Sequence, residues 1–350
     1  MAKFENKQKS TMAKISTEGI GTDMFKILVS ALQYEDEERS KRKREKNRMW
    51  PSESSIRLDD LPHPIVIGEC GRALYYKLTG AKITDPVSSR SLISMWIGKS
   101  LEQAIIQSIL SFEPIIGREI FPKCTLKDEE TGKEQEFRAT NYKYQYSVPA
   151  SSGRIITISG EIDGMINETE NRSPYIIEIK TEYGRGAKKD NDKDKEYRPR
   201  LSYLMQVYHY LYYFTNKLDP NFRDKDITSA DINILDRGNG FSSVHKIEFN
   251  KGILHVNGKP INFITLKGML NKWDEVLEYV ENKTVPPRDY SKKWTPKHME
   301  SLCEIGELSN EEYKSLCRTG KEKGDWQCNG YCQYRSLCYA IPEKDEYLFF

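Results

Sequence analysis

No apolar run in the chain reaches the length of a membrane span, and the first ten residues, MAKFENKQKS, lack the apolar stretch of a secretory signal. A cytoplasmic protein without membrane association is the expectation. Strong charge of either sign is also missing, the formal net charge being +2 over 350 residues. Overall charge therefore gives no argument for nucleic acid, and only local basic runs can. No internal repeat is present, which excludes repeat architectures. Cysteine is not scarce, but its number is odd. Seven thiols in a chain without a secretion signal argue against a disulfide framework and for free thiols or metal ligands. A hydrophobic content of 37%, with 11% aromatics, suffices for one large α/β domain with appendages.

The most informative stretch is Ile155–Thr181, IITISGEIDGMINETENRSPYIIEIKT. Two runs rich in β-branched residues, Ile155–Ile166 and Tyr175–Thr181, flank Asn167–Pro174, whose Asn, Ser and Pro suit a turn, so a β-hairpin is predicted. A symmetric hairpin closing at Glu170–Asn171 faces Asp163 with Glu178. Directly opposed side chains lie about 4.5–5.5 Å apart at Cβ, where like charges are destabilising without an offset. A divalent cation supplies that offset. Period two puts Lys180 on the face of Glu178 and turns Ile177 and Ile179 to the other. Carboxylate oxygens suit Mg2+ or Mn2+, which complete their shells with water and substrate phosphate. Lys180 is then placed to hold an attacking water or to steady charge on a phosphate. The alternative is a solvated hairpin whose wet face carries an ordinary Glu-x-Lys pair.

In chain order, a helix is predicted from about Asp23 to Met49, with favourable pairs Glu37–Lys41 and Glu38–Arg42. Its basic run, Lys41–Arg48, either touches a phosphate backbone or is a solvated helix end. Cys70 precedes a helical Arg72–Leu78 and on its own reads as a small core residue. Ser88–Phe112 is a further helix, with Met95, Gly98, Glu102, Ile105 and Ile109 on one stripe. Glu102 interrupts that apolar face, so it is either paired or metal-bound, or it sits at the stripe's edge and reaches solvent. Strands are expected at Ile115–Leu126 and Glu136–Val148, forming a meander with the hairpin. Thr181–Arg198, rich in Gly, Lys and Asp, reads as a mobile loop. Arg200–Phe214 is a helix carrying Gln206 and Tyr210. Strands Ile227–Asp236 and Ser243–Asn250 and an amphipathic helix Ile261–Asn282 follow. After Val285-Pro-Pro-Arg288 comes a tail in which Cys328, Cys332 and Cys338 crowd together. That spacing is too compact for a loop with its own core, and a bound metal supplies the missing stability. Three thiolates need a fourth. Cys303 and Cys317 can instead pair with two tail thiols around zinc.

The order G-x-x-D at Gly160–Asp163, then E-x-K at Glu178–Lys180, resembles the PD-(D/E)XK nuclease superfamily, and in particular its RecB-like branch. The parts arrive in that family's order from about Ile67 to Cys338: upstream Cys70 in C-x-R-x-x-Y-Y, Gly98-Lys-Ser-Leu-Glu102, G-x-x-D, E-x-K, Gln206-x-x-x-Tyr210 and three cysteines. The resemblance implies a restriction-endonuclease-like α/β core, a mixed sheet flanked by helices, over residues 65–284. Residues 1–64 form an N-terminal helical and basic extension, and 285–350 a Cys-rich tail. It implies Mg2+ or Mn2+ on Asp163, Glu178 and Glu102, with the Ile179 carbonyl a further ligand and Lys180 as catalytic residue. Gln206 and Tyr210 lie behind the active site, where a Gln and aromatics hold a phosphate or stack on unpaired bases. It also implies a 4Fe–4S cluster on Cys70, Cys328, Cys332 and Cys338, with zinc the other occupant that four thiolates serve. The first tail spacing here is C-x3-C, where C-x2-C is more usual, which leaves cluster type open. The activity implied is that of an exonuclease on single-stranded DNA or DNA ends in recombination, repair or phage DNA processing, similar to CRISPR-associated and phage exonucleases. A recombination or replication protein is the implied protein partner. Two other classes stand beside it: a catalytically inactive DNA-binding or assembly subunit that keeps the nuclease fold, and an iron–sulfur redox protein.

Overall fold

The predicted hairpin is the centre of a mixed sheet in the computed structural model, which describes residues 28–35, 48–49, 56–58, 65–67, 69–127, 134–183, 199–240, 242–290, 293–304, 308–321, 323–325, 328 and 331–340. The hairpin arms are β7 (Ile155–Ile166) and β8 (Tyr175–Glu182). They pair Gly164 with Ile177, Met165 with Ile176 and Ile166 with Tyr175, which is the predicted register. β6 (Thr140–Pro149) runs antiparallel along one edge of β7. The other edge is shared by β8 and β1 (Arg48–Met49), which is parallel to β7 at Thr157 and Ile158. From β8 the sheet continues through β9 (Ser229–Asp236), β10 (Ser242–Asn250), β11 (Ile253–Val256) and β12 (Lys259–Ile261). β8 and β9 are parallel, so a crossover joins them, and it carries helix α3 (Leu201–Thr215). Two small hairpins stand apart, β2 (Ile56–Leu58) with β3 (Ile65–Ile67) and β4 (Lys123–Lys127) with β5 (Glu134–Arg138).

Helices cover the sheet. Leu204, Met205, Val207 and Leu211 of α3 are buried with Tyr142, Tyr144 and Tyr146 of β6 and Ile156, Ile158 and Ile162 of β7, in one core that also takes Trp273 from α4 (Leu266–Glu281). On β8 the opposite face is apolar too. Ile177 and Ile179 pack with Ile106 of α2 (Ser89–Ile116) and with Phe121. The remaining helices are α1 (Gly71–Leu78), α5 (Pro296–Glu304), α6 (Asn310–Thr319) and α7 (Arg335–Ala340). Among the described residues no helix is long and apolar enough to cross a membrane.

Several expectations give way. The helix expected to end at Phe112, with a strand from Ile115, runs through Pro114 to Ile116. The helix takes the proline into its last turn, and the stop is set instead by Gly117 in the left-handed region at φ 63°. Glu113 in this last turn is buried, accepting from the Ile120 and Phe121 N–H groups at 2.7 and 2.8 Å and pairing with Arg138 at 3.0 Å. The helix expected to reach Met49 is helical at 28–35, but Arg48–Met49 is strand, because Met49 gains burial beside β7 that a charged helix end does not offer. The extension 1–64 therefore contributes to the core sheet, and its boundary at 64/65 falls inside the β2–β3 hairpin. Residues 41–47 of the basic run lie outside the described residues. Glu136–Val148 is two strands, broken at the fully buried Ala139, whose N–H donates to the Pro122 carbonyl. Ile261 belongs to β12, and α4 begins only after Thr265, whose hydroxyl caps the Gly268 N–H. The β11–β12 hairpin was signalled by Asn257-Gly258, both at positive φ (49° and 83°), as a two-residue hairpin turn requires.

A buried histidine gives the core a pH dependence. His209 is fully buried in α3, with Nδ1 2.7 Å from the Tyr146 hydroxyl, Nε2 3.1 Å from Met269 Sδ and its ring stacked on Trp273. Burial pushes its pKa down from 6.5 to about 3. The unfolded chain binds this proton more readily, so the contribution is intact above pH 6.5 and is lost as pH falls toward 3, at about 1.4 kcal/mol per pH unit. Urea unfolding from pH 7 to 4 should show that slope, and His209→Phe should flatten it.

Candidate active site

The β7–β8 ladder stops at Gly164 and Ile177, one residue short of the two acids. β8 carries on along β9 in seven successive pairs from Ile176 to Glu182. Asp163 and Glu178 therefore stand where pairing between their strands has ended. Asp163 does not simply face Glu178, because its Oδ2 turns to accept the Ile179 N–H at 2.5 Å. Glu178 is fully buried, and Lys180 Nζ makes an ion contact with its Oε1. Ile177 and Ile179 face α2 as predicted, whereas Lys180 sits over the Tyr203 ring of α3 at 5.2 Å. Glu102 reaches the same place from α2, half-buried beside Asp163. Gly98, one turn earlier, lets α2 approach β8, since a Cβ there would lie 2.9 Å from Thr181 Oγ1.

Three carboxylates and one amine thus converge in a largely buried cluster. Burial, then the Glu178 charge, pushes the Asp163 carboxyl well above its usual range, against the pull of Lys180. Glu102 is raised for the same first reason, with Lys180 again opposing and Glu178 adding. For Lys180 burial acts downward, but Glu178, Asp163 and Glu102 outweigh it, and the amine is held charged above its ordinary pKa. Despite the ion contact, neither oxygen of Glu178 receives a directed hydrogen bond among the described residues. Buried carboxylate oxygens without donors are costly unless a cation meets them. The donor set is hard oxygen throughout, which fits Mg2+ or Mn2+. Among the described residues no group of three or more His, Cys, Asp or Glu side chains is placed so that it could hold a metal ion.

Gln206 and Tyr210 are brought beside this cleft, but not in the expected manner. Gln206 Nε2 donates to the Tyr210 hydroxyl, which donates to the Glu161 carbonyl at 2.9 Å. Tyr210 is fully buried, so its ring has no open face for a base, and it ties α3 to β7. Sequence reasoning missed Glu182, which accepts from the Tyr203 hydroxyl at 2.7 Å and from Arg200 at 3.2 Å. Its signal was the period of two running on from Glu178 through Lys180. The loop expected to follow gives Thr181 and Glu182 to β8, and its residues 184–198 lie outside the described residues.

The thiols gather on the flank formed by α1. Cys70, at the N-terminus of α1, packs with Tyr290, Cys328 and Tyr339. Cys332 and Cys338 pack with Tyr75, Tyr76 and Tyr334. Arg72 holds the tail there: it is buried, donates to the Pro286 carbonyl at 2.6 Å and to the Cys338 carbonyl at 3.5 Å, and lies 3.7 Å from Cys338 Sγ. Arg288 donates to the same carbonyl at 3.0 Å. Burial, then Asp289, pushes the Cys70 thiol up to about 12, and burial and the neighbouring thiols push Cys332 up to about 11. Thiols this hard to ionise deprotonate near neutral pH only if a metal replaces the proton. Cys303 and Cys317 instead lie beside each other on α5 and α6, with Cys303 packed against the main core.

No family model and no curated protein matches the chain. Among solved structures it is similar to one described as "Crystal structure of SSO0001", at 13% identity and a TM-score of 0.42, over 90% of this chain and 98% of that one. Likeness at that level assigns no function.

Proposed function

We propose that this chain is a metal-dependent DNA nuclease of the PD-(D/E)XK type, RecB-like, acting on single-stranded DNA or DNA ends. The observation that carries the reading is Glu178, a fully buried carboxylate set beside Asp163 and Glu102 and in ion contact with Lys180, with no further directed hydrogen bond to its oxygens among the described residues. Asp163, Glu178 and Glu102 would hold Mg2+ or Mn2+, which when bound supplies Lewis acidity and a water of lowered pKa. Lys180 orients that water from the cleft floor and steadies the charge that develops on the phosphate. Ile179 gives its N–H to Asp163 and so fixes the carboxylate. On the flank, Cys70, Cys328, Cys332 and Cys338 fit a 4Fe–4S cluster that joins the tail to α1, with zinc as the other occupant. The cluster role is structural. A DNA-processing protein of recombination or replication is the partner class.

The test is degradation of single-stranded DNA labelled at either end, by anaerobically purified protein with Mn2+, beside Lys180→Ala. Stepwise loss of label from one end by the wild type, absent in the variant, is the expected result. Equal digestion by both refutes this site. DNA retention without cleavage by the wild type points to a non-catalytic subunit.

A further inference from the structure

We infer that Tyr203 is a positioning residue of this site, its ring holding the Lys180 ammonium through a cation–π contact that Glu182 and Arg200 keep in place. The inference rests on the nuclease reading above, in which Lys180 orients the attacking water, and adds to it the group that orients Lys180.

A lysine ammonium is a point charge on a flexible stem, so a single ion contact does not set its direction. Lys180 has its ion contact with Glu178 Oε1, and its Nζ also lies over the Tyr203 ring, 5.2 Å from the centroid. That is inside the range of about 6 Å over which a ring face attracts a cation, and the pull is stronger away from water. Tyr203 stands half-buried in the first turn of α3, and its phenol is itself tied. The hydroxyl donates to Glu182 Oε1 at 2.7 Å. Glu182 is buried near the end of β8, two residues beyond Lys180 and so on the same face. Arg200, just before α3, meets both oxygens of that carboxylate, Nε lying 3.2 Å from Oε1 and a terminal nitrogen 3.2 Å from Oε2. A two-point contact of this kind fixes the plane of the carboxylate as well as its position. The Arg200 guanidinium also lies over the Tyr203 ring, but at 5.8 Å and already engaged with Glu182. Glu178, Lys180 and Glu182 alternate in charge along one face of β8, which sets two acids beside one amine. With Glu182 engaged by Arg200 and Tyr203, the ring turns to Lys180 and the amine keeps its place at Glu178. Glu182 and Arg200 thus act on the ring, and the ring acts on Lys180.

The test uses the full chain with Tyr203→Phe, the same position carrying phenylalanine with one, two or three ring fluorines, and Tyr203→Leu. Fluorination keeps the shape of the ring and drains negative charge from its face, so packing is constant while the pull on an ammonium falls. The kcat and KM for cleavage of single-stranded DNA are measured with saturating Mn2+, and the thermal midpoint in EDTA. kcat should fall with each added fluorine, and Tyr203→Leu should lie about 5–30-fold below the wild type, the size of a partly desolvated cation–π contact. KM should stay within about twofold, because no contact to bound DNA is removed, and the midpoints of the fluorinated proteins should agree. A residue that merely packs would show no dependence on fluorine number. A kcat that is flat across the fluorinated series while Lys180→Ala is inactive overturns the assignment and leaves the nuclease reading standing. A midpoint that falls in step with kcat assigns the loss to packing and overturns it too, as does a raised KM at constant kcat, which would set the ring against DNA. If the wild type cleaves nothing, or Lys180→Ala cleaves as the wild type does, the nuclease reading fails and takes this assignment with it.

Discussion

Asp163→Asn should abolish DNA cleavage and, in the same protein sample, raise the thermal midpoint measured in EDTA. The two effects share a cause. Asp163 is buried beside Glu178 and Glu102, and both its burial and the Glu178 charge raise its pKa. A carboxyl raised in this way stabilises the folded chain only while protonated, so its contribution is full below the ordinary carboxylate pKa and is lost as pH rises through the folded value. Above the ordinary carboxylate pKa the unfolded chain gives up this proton more readily than the folded one, so the site works against folding there. An asparagine keeps an oxygen to accept from the Ile179 N–H, the contact Asp163 makes at 2.5 Å, and removes one like charge. Its advantage in EDTA should therefore be largest at neutral pH and vanish on acidification. With Mn2+ present the order should reverse, because only the wild type gains from binding. The loss of cleavage should be on the order of 10³-fold or more, the scale of removing a group that stabilises charge at the reacting phosphate. Cleavage retained by Asp163→Asn, or a midpoint in EDTA that falls, is incompatible with a cation site here.

The second large effect is expected at the thiols. Cys338→Ser should leave anaerobically purified protein without iron and make residues 328–340 sensitive to limited proteolysis, whereas Cys303→Ser should retain both iron and protection. Cys338 lies among Tyr75, Tyr76 and Tyr334 and receives Arg72 and Arg288 at its carbonyl. These contacts place the tail, but α7 spans only Arg335–Ala340 and is too short to hold itself. Metal binding by a thiolate set is folding free energy for such a segment, amounting to several kcal/mol or more. Iron analysis and a protease time course read the two consequences separately. Iron retained in Cys338→Ser but lost in Cys303→Ser would move the metal to the other thiols.

The hairpin register was legible because three signals agreed: two β-branched runs, a turn of matched chemistry between them, and a period of two that put the charged side chains of the second arm on one face. That sufficed to bring Asp163 near Glu178. It did not reveal that pairing ends just before them, since a strand's departure depends on what competes for its other edge, here seven pairs with β9. The end of α2 was not legible, since the stop is set at Gly117, beyond the last residue predicted to be helical. Tyr144 was invisible as anything but core, since its fold across Gly160 exists only between strands. Tyr210 was singled out for the right neighbourhood, yet spacing on a helix cannot tell a buried ring from one open to a base.

The contact between Arg72 and Cys338 spans 266 residues of chain. A ribosome adding about 5–20 residues per second separates the two by roughly 13–53 s. During that interval the strands of the sheet from β6 through β12 are made, while α1 waits with Cys70, Tyr75 and Tyr76 lacking the segment that will cover them. A chain released early carries a complete carboxylate cleft and an open flank. The segment that seals α1 is thus made only after the whole of the sheet, so the closing of that flank waits on a part of the chain far from it in sequence.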